Sequence, residues 1–374
     1  MARLPAGIRK RTGGGYEYRF TYKGVRYSVG GATVNDCKAK AKEKQDLLDM
    51  GIYQTNDKIT LNKYFDEWIK QKESTVKGSS VLSYNNVYRN NIAPTLGKRK
   101  IKTLERRQIV SMLNQVAKEK GTGAANHARR ILVAILNAAI RDDIIMRNVA
   151  AGIPSFKATG KPARETIHRE LTDQELKIFF KAVQFSRYYN AFRFMLYTGV
   201  RAGECCGLQW RDVDRKNGII HIRKTVTRNS EGKWVLGETP KTRSSKRDIP
   251  INKAVQEVLE EQWEIYHDTH DVLALNDFVF SGERDQIANT GTFRNIINLA
   301  RSHIEKDMGI VVAPFCVHAF RDTFASRAIR AGVPPNTLKE ILGHASLSMT
   351  MDLYAHVNQR DKIESMERMR AIDL

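Results

Sequence analysis

Apolar residues recur along the chain in two rhythms, and the change from one to the other marks out its segments. Near the start, "GYEYRFTYKGVRYSVGG" alternates aromatic and polar residues, with Lys23-Gly24 as a turn, which predicts a small antiparallel sheet. The following "TVNDCKAKAKEKQDLLDMG" has helical spacing and predicts a helix ending at Gly51. From residue 58 to 155 the rhythm stays helical through "TLNKYFDEWIKQK", "SSVLSYNNVYRNNIAPTLG", "RRQIVSMLNQVAKEKG" and "ANHARRILVAILNAAIRDDII", punctuated by Gly78, Pro94, Gly97 and Gly121. Residues 156–170, "FKATGKPARETIHRE", have no period and predict a linker. Thr172 and Glu175 then stand in capping-box spacing before an apolar run, the start signal of a new domain. Beyond it the pattern predicts helices, a short sheet over "GIIHIRKTVTR" and "KWVLGETPKTRSSKRDIPI", and helices again.

The expected fold class is therefore multidomain. A small α+β domain (1–55, three-stranded sheet plus helix) precedes an all-α bundle (58–155). A linker (156–170) leads to a mixed, mainly α domain with a small antiparallel sheet (171–374). A chain of 374 residues agrees with two or three cores.

Charge changes the picture from fold to partner. With 62 Lys+Arg against 41 Asp+Glu the formal net charge is +21, which makes a polyanion the natural ligand. The charge is spread through the chain rather than gathered in one amphipathic helix, which favours nucleic acid over an anionic membrane. Arg9, Lys10, Arg11, Arg19, Lys23 and Arg26 interleave with aromatics on the predicted N-terminal strands, an arrangement suited to a DNA groove. Lys98, Arg99, Lys100 and Lys102, followed by Arg106 and Arg107, gather between two predicted helices, where they can reach phosphates. No run of about 18 apolar residues supports a membrane span. The N-terminal "MARLPAGIRKRTGGG" lacks the apolar stretch of a secretory signal, so a cytoplasmic, nucleoid-associated location is expected. Cys37, Cys205, Cys206 and Cys316 show no metal-clamp spacing and read as reduced thiols.

Candidate chemistry concentrates in the last segment. "YTGVRAGECCGLQW" sets Arg201 just past a helix-ending Gly, with Glu204 three residues on. "PKTRSSKRDIP" places Lys241 in a turn between two strands, and "HAFRDTFASRAI" puts His318 and Arg321 one helical turn apart. "LGHASLSMTMDLYAHV" carries His344 and, ten residues later, Tyr354. Taken singly, each has a structural explanation: a surface ion pair, a solvated lysine, a core histidine, a packed aromatic. As an ordered set, Arg, strand-turn Lys, His-x-x-Arg, Leu-Gly-His and Tyr resemble the tyrosine recombinases of the phage integrase family, and the surrounding words "TGVRAGE", "KTRSSKRDIP", "HAFRDTFAS" and "LKEILGHASLSMTMDLYAHV" look like that family's boxes. The likeness covers nearly the whole chain.

The resemblance implies an integrase of a phage or conjugative element that cleaves and rejoins DNA through a covalent 3′-phosphotyrosine, integrating and excising the element. It implies Tyr354 as nucleophile, Arg201 and Arg321 on the phosphate, His344 as a hydrogen-bond donor to it, His318 as proton acceptor, Lys241 as proton donor and Glu204 as the support of Arg201. Physical chemistry agrees: two planar guanidiniums suit the non-bridging oxygens of a phosphoryl transition state, supplying what a metal ion supplies elsewhere, so no metal and no cofactor are expected. Free tyrosine is only about 0.1% ionised at neutral pH, so the phenol needs a base or a cationic site. The implied partners are core and arm sites in double-stranded DNA, three further subunits in a homotetramer on two duplexes, an excision factor and a host DNA-bending protein. The tail, with Ile363, Met366, Met369 and Ile372 at helical spacing, would dock on a neighbouring subunit. Asp322 departs from the family, where a second His commonly follows the Arg; it should turn away from Arg321 and act structurally. A non-enzymatic helix-turn-helix regulator is the rival reading, and it leaves Arg201, Lys241 and His344 without a purpose.

Overall fold

The computed structural model describes residues 4–12, 14–22, 24–49, 59–157, 169–238, 246–268, 270–272, 274–282 and 286–358. Contacts divide the chain into two units, Met1–Ala158 and Thr159–Leu374. Lys23, Lys241, residues 158–168 of the expected linker and the tail residues Ile363, Met366, Met369 and Ile372 lie outside the described residues.

In the first unit β1 (Ile8–Lys10), β2 (Tyr16–Tyr22) and β3 (Val25–Gly31) form an antiparallel sheet in sequence order, followed by α1 (Val34–Asp49). A strand sends successive side chains to opposite faces. Tyr18, Phe20, Tyr22, Tyr27 and Val29 accordingly pack with Ala41 and Leu48 of α1. Arg9, paired with Glu17, Arg19, paired with Ser28, and Arg26, paired with Thr21, occupy the other face. This corrects the expectation of one ribbon of mixed arginine and aromatic side chains. The two kinds interleave along the strand and separate across the sheet, and Lys10 alternates to the side of Ile8.

The same unit holds α2 (Leu61–Glu73), α3 (Gly78–Val87), α4 (Ala93–Leu96), α5 (Arg106–Lys120) and α6 (Thr122–Arg141) around a core that includes Leu61, Phe65, Tyr88, Ile92, Leu113 and Leu132. Thr60 caps α2, its hydroxyl accepting from the Lys63 N–H at 3.3 Å. One π turn, Tyr88–Ile92, joins α3 to α4 and leaves Pro94 in the first turn of α4, where a missing N–H costs no helix bond. Lys98, Arg99, Lys100 and Lys102 are exposed between α4 and α5. Arg106 is a structural residue instead: its guanidinium donates to the Ala151 and Gly152 carbonyls at 2.6 and 2.8 Å.

The second unit opens as its cap predicts. The Glu175 N–H donates to the Thr172 hydroxyl (3.2 Å) and the Thr172 N–H to the Glu175 carboxylate (2.9 Å), starting α7 (Asp173–Ala182). Then come α8 (Tyr189–Thr198) and α9 (Ala202–Cys206). Next are β4 (Val213–Asp214), β5 (Ile219–Ile222), β6 (Lys224–Arg228), β7 (Trp234–Glu238) and β8 (Arg247–Pro250). The unit continues with α10 (Lys253–His267), α11 (Thr290–Met308), α12 (His318–Arg330), α13 (Pro335–Leu342) and α14 (Leu347–Asn358). The strands follow the predicted alternation but divide into two sheets where one was expected: β4, β5 and β8 make one antiparallel sheet and β6–β7 a separate hairpin. Phe179, Phe192, Phe293 and Phe320 meet in the main core with neighbouring ring centroids 5.3–5.5 Å apart. A smaller core of Ala325, Ile329, Leu338 and Leu342 joins α12, α13 and α14. Cys37, Cys205 and Cys206 are buried free thiols, and Cys316 is half-buried. Among the described residues no helix is long and apolar enough to cross a membrane.

Candidate active site

α8 ends on Gly199, whose φ of 65° is left-handed, and an added Cβ there would stand 2.4 Å from the Phe324 ring. The turn this permits delivers Arg201 to the start of α9. Glu204, one turn on, accepts the Arg201 backbone N–H (2.9 Å) and its Nη1 (2.9 Å). Glu204 is 1% exposed, and its second partner is Arg247 at the start of β8, whose Nη1 and Nη2 donate to the two carboxylate oxygens at 3.2 and 2.8 Å. Burial pushes the Glu204 carboxyl up, but the Arg247 bond and the charges of Arg247 and Arg201 outweigh it and hold it below the ordinary carboxylate range.

Arg321 lies in the first turn of α12, 3% exposed, with Nη1 on the Gly199 carbonyl and Nη2 on the Leu342 carbonyl, both at 2.7 Å. Burial, then the charge of Arg201, press its pKa to about 9, so it remains a cation at neutral pH.

The three guanidiniums share an anchor. Arg247 donates to the Ile341 carbonyl (2.5 Å), Arg321 to Leu342 (2.7 Å) and Arg201 to Gly343 (3.3 Å). These are successive carbonyls at the C-terminal end of α13, where helix carbonyls have no partner of their own and carry partial negative charge. Gly343, left-handed at φ 66°, closes the helix and turns the chain into His344. His344 is buried, with Nδ1 2.9 Å from the hydroxyl of Thr350, which is itself fully buried on α14.

Burial, then the charges of Arg321 and Arg201, push His344 down to about 4, leaving the ring neutral at neutral pH. Unfolding returns it to an ordinary value near 6.5. Between those values the unfolded chain binds a proton that the folded chain refuses. This contribution to stability is therefore complete above about pH 6.5 and lost as pH falls toward 4. A melting temperature followed through that window should fall with acid, and His344→Gln should flatten the fall; equal slopes in both proteins would refute the assignment.

His318 opens α12 with Nε2 3.6 Å from Asp322. Asp322 thus stands against a candidate catalytic side chain, closer to the chemistry than the expected structural role. Tyr354 is half-buried among Phe324, Ala328, Val333 and Leu353, and its hydroxyl donates to the Val333 carbonyl. Burial raises its pKa, so it is a phenol at neutral pH. Val333 precedes α13, whereas the arginines hold its other end. The structure thus brings Arg201, Glu204, Arg321 and His344 together at one end of α13, a helix roughly 12 Å long for eight residues at about 1.5 Å each, while the Tyr354 hydroxyl is engaged just before its other end.

Arg247 and Thr350 are the residues that motif reading missed. Arg247 carried a signal: β8 alternates buried and exposed, and Arg247 falls on the buried beat with Ile249. Thr350, inside an exposed-looking stretch of α14, carried none.

The phage integrase family matches residues 169–361, just over half of the chain, and the SAM-like N-terminal domain of phage integrases matches residues 60–116. The chain belongs to the phage integrase family. A XerC-like tyrosine recombinase of Caldanaerobacter subterraneus subsp. tengcongensis is 25% identical over 364 residues, covering 92% of this chain and 91% of that protein. The transposase of transposon Tn916 from Enterococcus faecalis is 26% identical over 251 residues, 65% of this chain and 61% of its own length. Among solved structures, the Tn1549 transposon integrase in complex with a circular intermediate DNA shares the fold, with a TM-score of 0.70 at 24% identity over 83% of this chain and 99% of that one.

Proposed function

We propose that this chain is a site-specific DNA recombinase that integrates and excises a mobile element through a phosphotyrosine intermediate. The observation that carries the reading is the convergence of Arg201, Arg321 and His344 at one end of α13, where three guanidiniums, Arg247 included, meet one buried carboxylate that pairs with only Arg201 and Arg247. That surplus of positive charge is preorganised for a phosphodiester whose charge grows in the transition state. Arg201, one third exposed, has N–H groups beyond its bonds to Glu204 and Gly343 to offer an oxyanion. With the Thr350 hydroxyl donating to Nδ1, neutral His344 presents Nε2–H as a further donor.

The Tyr354 oxygen bonds to phosphorus as the P–O5′ bond breaks, giving a 3′-phosphotyrosine and a free 5′ hydroxyl. His318 takes the phenol proton and Lys241 supplies one to the leaving oxygen. Attack by a 5′ hydroxyl of another strand reverses the steps and reseals the DNA without ATP. The Tyr354 hydroxyl must leave the Val333 carbonyl before it can attack. Within this reading residues 1–55 hold arm DNA, 58–155 hold core DNA through Lys98, Arg99, Lys100 and Lys102, and 171–374 do the chemistry. Exchange between two duplexes takes four cleavages, hence four subunits. An excision factor and a host DNA-bending protein would set direction, and the work is done at the nucleoid.

The test is a set of nicked duplexes spanning the DNA that flanks the gene, incubated with the protein in EDTA and run on a denaturing gel. A covalent protein–DNA band is expected. Bound duplexes that all stay intact would make the protein a regulator rather than a recombinase.

A further inference from the structure

An acidic residue sits where the N-terminal sheet should least want one. Glu17 occupies the centre of the face that α1 leaves uncovered, is 7% exposed, and is surrounded by arginines. Its carboxylate meets Arg9 Nε at 2.5 Å, Arg19 Nη2 at 3.3 Å and Arg11 Nη2 at 3.9 Å. The Arg9 bond, aided by the charges of Arg19 and Arg11, holds the carboxyl below the ordinary carboxylate range, so it stays ionised. Gly30 pairs with Glu17 across the sheet, and an added Cβ there would lie 3.0, 3.1 and 3.2 Å from Nη1, Cζ and Nη2 of Arg11. Near-equal distances to three atoms of one plane mean that the Arg11 guanidinium lies flat on the glycine.

We propose that Glu17 and Gly30 fix Arg9, Arg11 and Arg19 as a rigid donor array that reads guanine edges in duplex DNA, so that this acid strengthens sequence-specific binding. The inference rests on reading this sheet as a DNA-binding surface. Three guanidiniums this close repel one another, and without Glu17 they would spread toward whichever phosphates they reached. The three guanidiniums are each more than half exposed, and ion pairs to exposed partners add too little stability to justify a carboxylate that repels DNA. Orientation is a better reason. The two-pronged contact from arginine to guanine O6 and N7 needs a guanidinium in a set plane, whereas a phosphate accepts one from many directions. Tyr18, Phe20, Tyr22 and Tyr27, all on the α1 side, leave the open face to these polar groups.

The test uses the full chain. Selection from a randomised duplex pool gives the sequence motifs it retains, and the motif lost by the triple variant Arg9→Ala, Arg11→Ala, Arg19→Ala becomes the probe. Glu17→Gln should bind that duplex at least about fivefold more weakly although it gains a positive charge, with binding to poly(dA-dT) no weaker and the slope of log affinity against log salt no shallower. Gly30→Ala, which alters no charge and only pushes Arg11 aside, should weaken the same duplex in the same direction. It decides the matter should Glu17→Gln fail to fold. Equal or tighter binding by Glu17→Gln, or by Gly30→Ala in its place, overturns the array. Weaker binding with a shallower salt slope overturns base reading in favour of phosphate contact. A triple variant that retains every motif overturns the reading of the sheet itself.

Discussion

Tyr354→Phe is expected to bind DNA as the parent does and to form no covalent adduct, a loss of more than about 10⁴-fold in cleavage, because no other group can replace the missing oxygen as nucleophile. The ring should stay in place, since Phe keeps the apolar contacts with Phe324, Ala328, Val333 and Leu353. What the fold loses is the hydrogen bond to the Val333 carbonyl, about 0.5–1.5 kcal/mol for a neutral pair. Urea melts and denaturing gels on the same preparation separate the two effects. An adduct that persists in the variant places the nucleophile elsewhere.

Arg247→Met should do damage of a different kind. The substitution leaves the buried Glu204 carboxylate with Arg201 alone and strips the Ile341 carbonyl of its donor. Breaking one partner out of a buried pair costs about 3–5 kcal/mol, so the second unit should melt at markedly lower denaturant. Pairing Arg247→Met with Glu204→Gln should recover part of that loss, because the stranded charge is then gone. Arg247→Lys separates position from stability. A lysine keeps the charge but cannot bridge both carboxylate oxygens and a carbonyl, so the fold should survive while cleavage at saturating DNA falls at least about tenfold. A lysine variant with full cleavage would make Arg247 a structural residue only.

Why Arg247 escaped motif reading is instructive. Its partners Glu204 and Ile341 are 43 and 94 residues away in the chain, and no local pattern encodes a pairing over such separations. Local signals fared better. Thr172 and Glu175 cap each other as their spacing requires, and the alternation over 219–250 becomes strands. The N-terminal sheet shows a signal present but misread: a period of two means that neighbours along "YEYRFTY" never share a face, so arginines and tyrosines had to part. For the site, the order of Arg201, His318, Arg321, His344 and Tyr354 was legible in the chain. The engagement of the Tyr354 hydroxyl with Val333 was not, because one side-chain rotation decides it.

The two ends of α13 differ in how firmly they are held. Three charged donors clamp its last carbonyls, each bond of a class contributing about 1.5–3 kcal/mol, while Tyr354 hooks the other end through one neutral bond. Undocking the tyrosine therefore draws on a small reserve and leaves the arginine clamp untouched. Latency in this enzyme is thus shallow: freeing the nucleophile breaks one neutral hydrogen bond and none of the charged ones that hold the arginines.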